Sequence, residues 1–177
     1  HTTVTCAVMG PARLMAGIAE ILGLALPGSA AIPAVNSQRL VAAEASGRVA
    51  MSLVRNPIKP SQVITGKSVE NALRVLMAVG GSTNAIIHLT AIAGRAGITI
   101  SYDRLNVISD EPPVLVDLKP VGEGYMADFY GEGGAGAVRR ELKPLHSLDT
   151  MSVAARPLGE RLGGPAGGVP PRVGRGF

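Results

Sequence analysis

The stretch SVENALRVLMAVGGSTNAIIHL, Ser68 to Leu89, reads as two helices broken by a pair of glycines. Val69, Leu73, Leu76 and Met77 recur at helical spacing behind Ser68, which suits a helix cap. Gly80-Gly81 then stops the pattern, as a glycine just past the last periodic residue commonly does. Ser82, Thr83 or Asn84 caps the next helix, which carries Ile86, Leu89, Thr90 and Ala93 on one side and ends near Gly97. The same corner has a second reading, as an anion or substrate cradle. Amides at a fresh helix N-terminus point outward and favour negative charge, and Ser82, Thr83 and Asn84 add hydrogen-bonding side chains. His88, one turn after Asn84, shares its face, although a lone helical histidine is more commonly structural. No Gly-Lys-Ser/Thr follows the glycines, so the corner is not a Walker phosphate loop.

Outward from this corner, Leu14, Met15, Ile18, Ile21 and Leu22 predict a helix over 11–24, opened by Pro11 and closed by Gly23 and Pro27-Gly28. Asn36 suits the cap of a helix from Ser37 to about Val54, closed by Pro57 and Pro60. Ser101 begins a short helix through Ile108, and another lies around Ala137 to Leu142. Gly97–Ile100 and Val114–Leu118 read as strands that alternate with helices rather than with hairpin turns. The expected fold class is therefore α/β: helix-rich, with a short, mostly parallel sheet.

The chain has 177 residues, enough for one domain with its own core. It is 46% hydrophobic but only 3% aromatic and lacks Trp, so that core is built from Ala, Val, Ile, Leu and Met. The formal charge of +4 includes Arg172 and Arg175 in the acid-free tail Gly163–Phe177. Elsewhere acids and bases are mixed, without the aromatic-plus-basic surface that binds single strands, so no nucleic-acid partner is expected. No apolar run approaches the ~20 residues of a membrane span, and no signal peptide is visible, so no membrane partner is expected either. A single cysteine excludes an internal disulfide and fits a cytoplasmic protein. Residues 1–162 read as a partial domain and 163–177 as a disordered Gly/Pro/Arg-rich tail. The start at His1 suggests a piece of a longer protein.

Cys6 precedes the first helix. It reads either as a small buried hydrophobe or as a thiolate favoured by the helix N-terminus, able to attack or to bind metal. Alone it cannot hold an iron–sulfur cluster or a structural zinc. Asp128 and Glu132 flank the flexible Gly133-Gly134 turn and read as solvated acids.

Several segments in order resemble one family. T-C-x-x-M-G (Thr5–Gly10), L-P-G-S-A-A-I-P-A (Leu26–Ala34), E-N-A (Glu70–Ala72), G-G-S-T-N-A-x-x-H-L (Gly80–Leu89) and D-L-K-P-x-G (Asp117–Gly122) are similar to the dihydroxy-acid and phosphogluconate dehydratases. Y-M-x-D-F with G-G (Tyr125–Gly134) continues the likeness, and D-T-M-S-V with L-G-E-R-L (Asp149–Leu162) echoes it. The resemblance implies the central part of the N-terminal domain of a hydro-lyase that converts a 2,3-dihydroxy acid, or an aldonic acid, to a 2-keto acid. It implies an iron–sulfur cluster ([2Fe–2S] or [4Fe–4S]) as Lewis acid and Mg²⁺ nearby. Cys6 matches one of three cluster ligands, and Ser82, Thr83, Asn84 and His88 fall in the substrate-binding motif. The catalytic base is implied to lie outside this chain, which alone would be inactive and would hold no stable cofactor. The complete protein would bind a small hydroxy acid and form a homodimer or homotetramer. The alternative is a non-catalytic remnant of the same fold that binds an anion or a partner.

Overall fold

The computed structural model describes residues 7–161. Its organising element is α4 (Gly66–Ala78), which packs against α1 (Pro11–Leu22), α5 (Thr83–Arg95), α6 (Tyr102–Asp110) and α8 (Gly134–Glu141). The sequence of α4 explains its central place. Val69, Ala72, Leu73, Val75, Leu76 and Ala78 are buried and cover most of its circumference, the signature of a helix surrounded by others. Against it lies the apolar stripe of α1, with Leu14, Ile18, Ile21 and Leu22 buried as their spacing predicts and Met15 half-buried at its edge.

The cap of α4 is Thr65, three residues before the expected Ser68. Thr65 Oγ1 accepts from the Ser68 N–H at 3.2 Å, and Ser68 Oγ accepts from the Thr65 N–H at 2.9 Å, a reciprocal box that consumes two end amides. Elsewhere α2 (Gln38–Arg55) follows Asn36, whose Oδ1 accepts from the Gln38 N–H. The short helices α3 (Pro60–Val63), α7 (Met126–Gly131) and α9 (Leu158–Arg161) complete the described chain, with a 3₁₀ turn at Lys143–Leu145.

The expected parallel sheet does not exist among the described residues. They are helical and connecting segments, and their one β contact is an isolated parallel bridge between Leu118 and Gly124. The reason lies in where the backbone groups of the two supposed strands go. Gly97 is left-handed (φ +74), and the Ile98 N–H caps α5 by donating to Ala93 O at 2.8 Å. In the second segment, the Leu115 N–H donates to the end of α4 at Ala78 O, 2.7 Å away. The Lys119 N–H closes a local loop onto Gly124 O. Both segments are extended connectors whose apolar side chains line the helical core. The correct class is α-helical.

Buried polar groups fasten the Leu26–Ala34 loop to α1. Glu20 accepts from the N–H groups of Gly28 (2.8 Å) and Ala30 (3.0 Å), and Arg13 donates to Ile32 O at 3.0 Å. Arg39 of α2 adds bonds to Ser29 O and Ile32 O. The segment 163–177, expected to be a disordered tail, lies outside the described residues.

Candidate functional site

The corner between α4 and α5 is built by two glycines with different duties. Gly80 takes the left-handed conformation (φ +61) that ends α4, and the Gly81 N–H reaches back to Leu76 O at 3.0 Å. Gly81 is required for space. A Cβ there would lie 2.8 Å from Leu14 Cδ2 and still closer to Leu76 Cδ1. This contact seats the start of α5 on the first turns of α1.

Of the three candidate caps, Ser82 serves. Its Oγ accepts from the Asn84 N–H at 3.2 Å. Thr83, Asn84 and His88 are exposed, and their side chains make no hydrogen bond to any described residue. The structure therefore brings Ser82, Thr83, Asn84 and His88 together on the first two turns of α5. Ser82 is committed to capping and the other three are open to a ligand. His88 is not a buried structural histidine.

Cys6 lies outside the described residues, but the segment that follows it is placed. The Met9 N–H donates to Lys119 O at 2.9 Å, and Ala7 O accepts from the Met126 N–H at 2.9 Å. The end of T-C-x-x-M-G thus runs along both D-L-K-P-x-G and Y-M-x-D-F. In that loop Lys119 Nζ donates to the Tyr125 hydroxyl at 2.8 Å and lies 4.4 Å from its ring centroid. The bond to Tyr125 raises the Lys119 pKa above its ordinary value. Asp128 Oδ2 accepts from the Tyr125 N–H and so caps α7 rather than standing free. The first turn of α1 is the shared neighbour: Met9 joins the Lys119 loop to it, and Leu14 joins the Gly81 corner.

Other motif residues are structural. Asn71 of E-N-A clamps Ser147 in both directions, donating to its carbonyl and accepting from its N–H at 2.9 Å each. Glu70 accepts from Arg104 at 2.8 Å and pairs with Arg74, and the Arg104 guanidinium holds its carboxyl below the usual range. Sequence reasoning missed the buried pair Glu20–Arg139 and the buried His146. No local pattern marks them.

Beside α1 an apolar cavity of about 20 Å³ is lined by Met9, Arg13, Leu14, Ile18, Val79 and Phe129 among others. It has room for roughly one water and not for a small organic acid. Among the described residues no group of three or more His, Cys, Asp or Glu side chains could hold a metal ion.

Among the described residues, helices and connectors thus bring parts of T-C-x-x-M-G, D-L-K-P-x-G, Y-M-x-D-F and the Gly80-Gly81 corner close to the start of α1. Residues 1–161 match the family described as Dihydroxy-acid/6-phosphogluconate dehydratase N-terminal, and the chain belongs to that family. It is 44% identical over 160 residues to a dihydroxy-acid dehydratase of Caldicellulosiruptor bescii, covering 89% of this chain and 29% of that protein. A dihydroxy-acid dehydratase of Metallosphaera sedula is 39% identical over 159 residues, 89% of this chain and 28% of its own length. One from Clostridium botulinum is 38% identical over 162 residues, 90% of this chain and 29% of its own. The chain spans under a third of the length of these relatives.

Proposed function

We propose that this chain forms part of a hydro-lyase that removes water from a 2,3-dihydroxy acid or an aldonic acid. The supporting observation is the open polar start of α5, within a chain that shares about 40% identity with proteins named dihydroxy-acid dehydratases. In such a reaction the proton on C2 passes to a base and the C3 hydroxyl leaves as water. The resulting enol tautomerises to the 2-keto acid. The part that this chain contributes is binding. The amides of the first turn of α5 and the side chains of Thr83, Asn84 and His88 would hold the substrate carboxylate and fix its orientation. Ser82 would support that turn as its cap.

Hydroxide is a poor leaving group, and an iron–sulfur cluster assisted by Mg²⁺ supplies the Lewis acidity the family resemblance calls for. Cys6 would be one thiolate ligand, with the remaining ligands and the base provided by polypeptide that the relatives carry beyond this stretch. The chain alone would then be inactive, and the complete protein would work in the cytoplasm.

A chimera tests the reading. Residues 1–161 replace the matched segment of the Caldicellulosiruptor relative, and 2-keto acid formation from a 2,3-dihydroxy acid is followed. Turnover by the chimera and none by the 177-residue chain is the expected result. A chimera that folds, loads its cluster and yet forms no keto acid would instead identify the chain as a non-catalytic remnant.

A further inference from the structure

Where α8 and the turn after it meet α4, two buried side chains keep polar atoms that no described residue satisfies. Arg139 is 3% exposed, and its Nη2 meets the Glu20 carboxylate at 2.9 Å. Its Nε and Nη1 make no hydrogen bond to any described residue. Neither do Nδ1 and Nε2 of His146, which is 7% exposed. The Glu20 carboxylate is already shared, since it also holds the N–H groups of Gly28 and Ala30.

The backbone on both sides of the ring is fixed. The His146 N–H donates to Lys143 O at 3.3 Å, and Asn71 of α4 clamps Ser147 in both directions. Burial, with the charges of Arg74 and Arg139 added, holds the His146 pKa at about 4. The ring is therefore neutral at pH 7 and within electrostatic reach of both guanidinium groups. Arg74 is engaged elsewhere, with Glu111 at 2.6 Å and Glu70 at 3.4 Å. Arg139 and His146 are left as neighbours, each with unmet hydrogen-bonding capacity.

Buried polar groups in folded proteins are paired, with ordered water where protein does not serve. We propose that this place is an internal hydration site, where one buried water accepts from an N–H of Arg139 and donates to the unprotonated ring nitrogen of His146. Chemistry selects the ligand. A guanidinium only donates, whereas a neutral imidazole offers one donor and one acceptor. Chloride could accept from Arg139 but would leave the ring's acceptor unanswered. A metal cation could take the ring nitrogen but would be repelled by the guanidinium. Water donates and accepts at once and so meets both. Being neutral, it also leaves the charge balance of Glu20 and Arg139 undisturbed. The bridge ties the turn after α8 back onto α8 and fixes which nitrogen of His146 carries the proton.

Water-selected NOE and ROE spectra of the ¹⁵N-labelled 177-residue chain at pH 7 test this. The Arg139 Nε–H or Nη–H protons are expected to show cross-peaks to water with NOE and ROE of opposite sign. That sign pattern separates a water held longer than about a nanosecond from simple hydrogen exchange. His146→Phe keeps a buried ring without nitrogens and should abolish the cross-peaks. Their absence from the wild type, or their persistence at full strength in His146→Phe, would overturn the proposal. Broadening of the ³⁵Cl⁻ resonance by the wild-type chain that is lost in His146→Phe would overturn it in favour of an anion. Should His146→Phe not fold, the wild-type ring decides. Its unprotonated nitrogen should show the upfield ¹⁵N shift of a hydrogen-bonded imidazole, and the shift of an unbonded nitrogen would contradict the bridge.

Discussion

The carboxylate of Glu20 and the guanidinium of Arg139 meet at 2.9 Å with both side chains withdrawn from water. The pair joins α1 to α8, and the same carboxylate holds the backbone of the Leu26–Ala34 loop. Burial drives the Arg139 pKa below its ordinary value while the Glu20 charge opposes the shift. Removing one partner leaves a buried charge without compensation. Glu20→Ala is therefore expected to lower stability by about 3–5 kcal/mol, while replacing both residues with apolar groups of similar volume restores much of the loss. Thermal or urea melts of the single and double variants check this.

His146 gives the fold an acid-sensitive element. Burial, reinforced by Arg74 and Arg139, lowers its pKa from 6.5 to about 4. The folded state therefore keeps the ring neutral where the unfolded chain takes up a proton. This contribution is fully present above about pH 6.5 and is lost as pH falls toward 4, amounting to about 3 kcal/mol at the acid end. Denaturant titrations from pH 4 to 7.5 should show that loss in the wild type and a shallower pH dependence in His146→Leu. Equal slopes would remove His146 from the account.

The two glycines of the corner should respond differently. Gly81→Ala drives a methyl into Leu14 and Leu76, an overpacking expected to cost about 1–3 kcal/mol. At Gly80 there is open space but a φ of +61, so Gly80→Ala costs about 1 kcal/mol from backbone strain alone. Paired melts that rank Gly81→Ala as the milder change would show that α5 does not seat on α1 through this contact.

The longer helices were legible because of a periodic apolar stripe or a local stop or cap, whereas α3, α7 and α9, of four to six residues, are too short to show a period and were missed. Leu14 to Leu22, and the Gly80-Gly81 break, predict α1 and the α4–α5 corner within a few residues. The supposed strands failed because a short β-branched run such as Ile98-Thr99-Ile100 looks the same whether it pairs in a ladder or crosses a helix end. Its hydrogen bond to Ala93 is a property of the folded turn. The exposed cluster of Thr83, Asn84 and His88 could be found from spacing alone. Glu20 and Arg139 could not, since a buried ion pair between distant residues leaves no mark on either local sequence. Nor does the local sequence show that Arg13 and Arg39 bind the loop carbonyls of Ile32 and Ser29.

The central claim is that the start of α5 binds substrate as well as turning the chain, and Asn84→Ala in the chimera tests it most directly. Asn84 is exposed and the cap is Ser82, so melting should change by less than the ~1 kcal/mol of a lost cap. Loss of a substrate-orienting group should lower kcat about a hundredfold, or ~2.7 kcal/mol in barrier. Turnover reduced on that scale with an unchanged melt is the predicted result. Wild-type turnover in the variant, whatever its melting temperature, would reduce the motif to a corner and contradict the account.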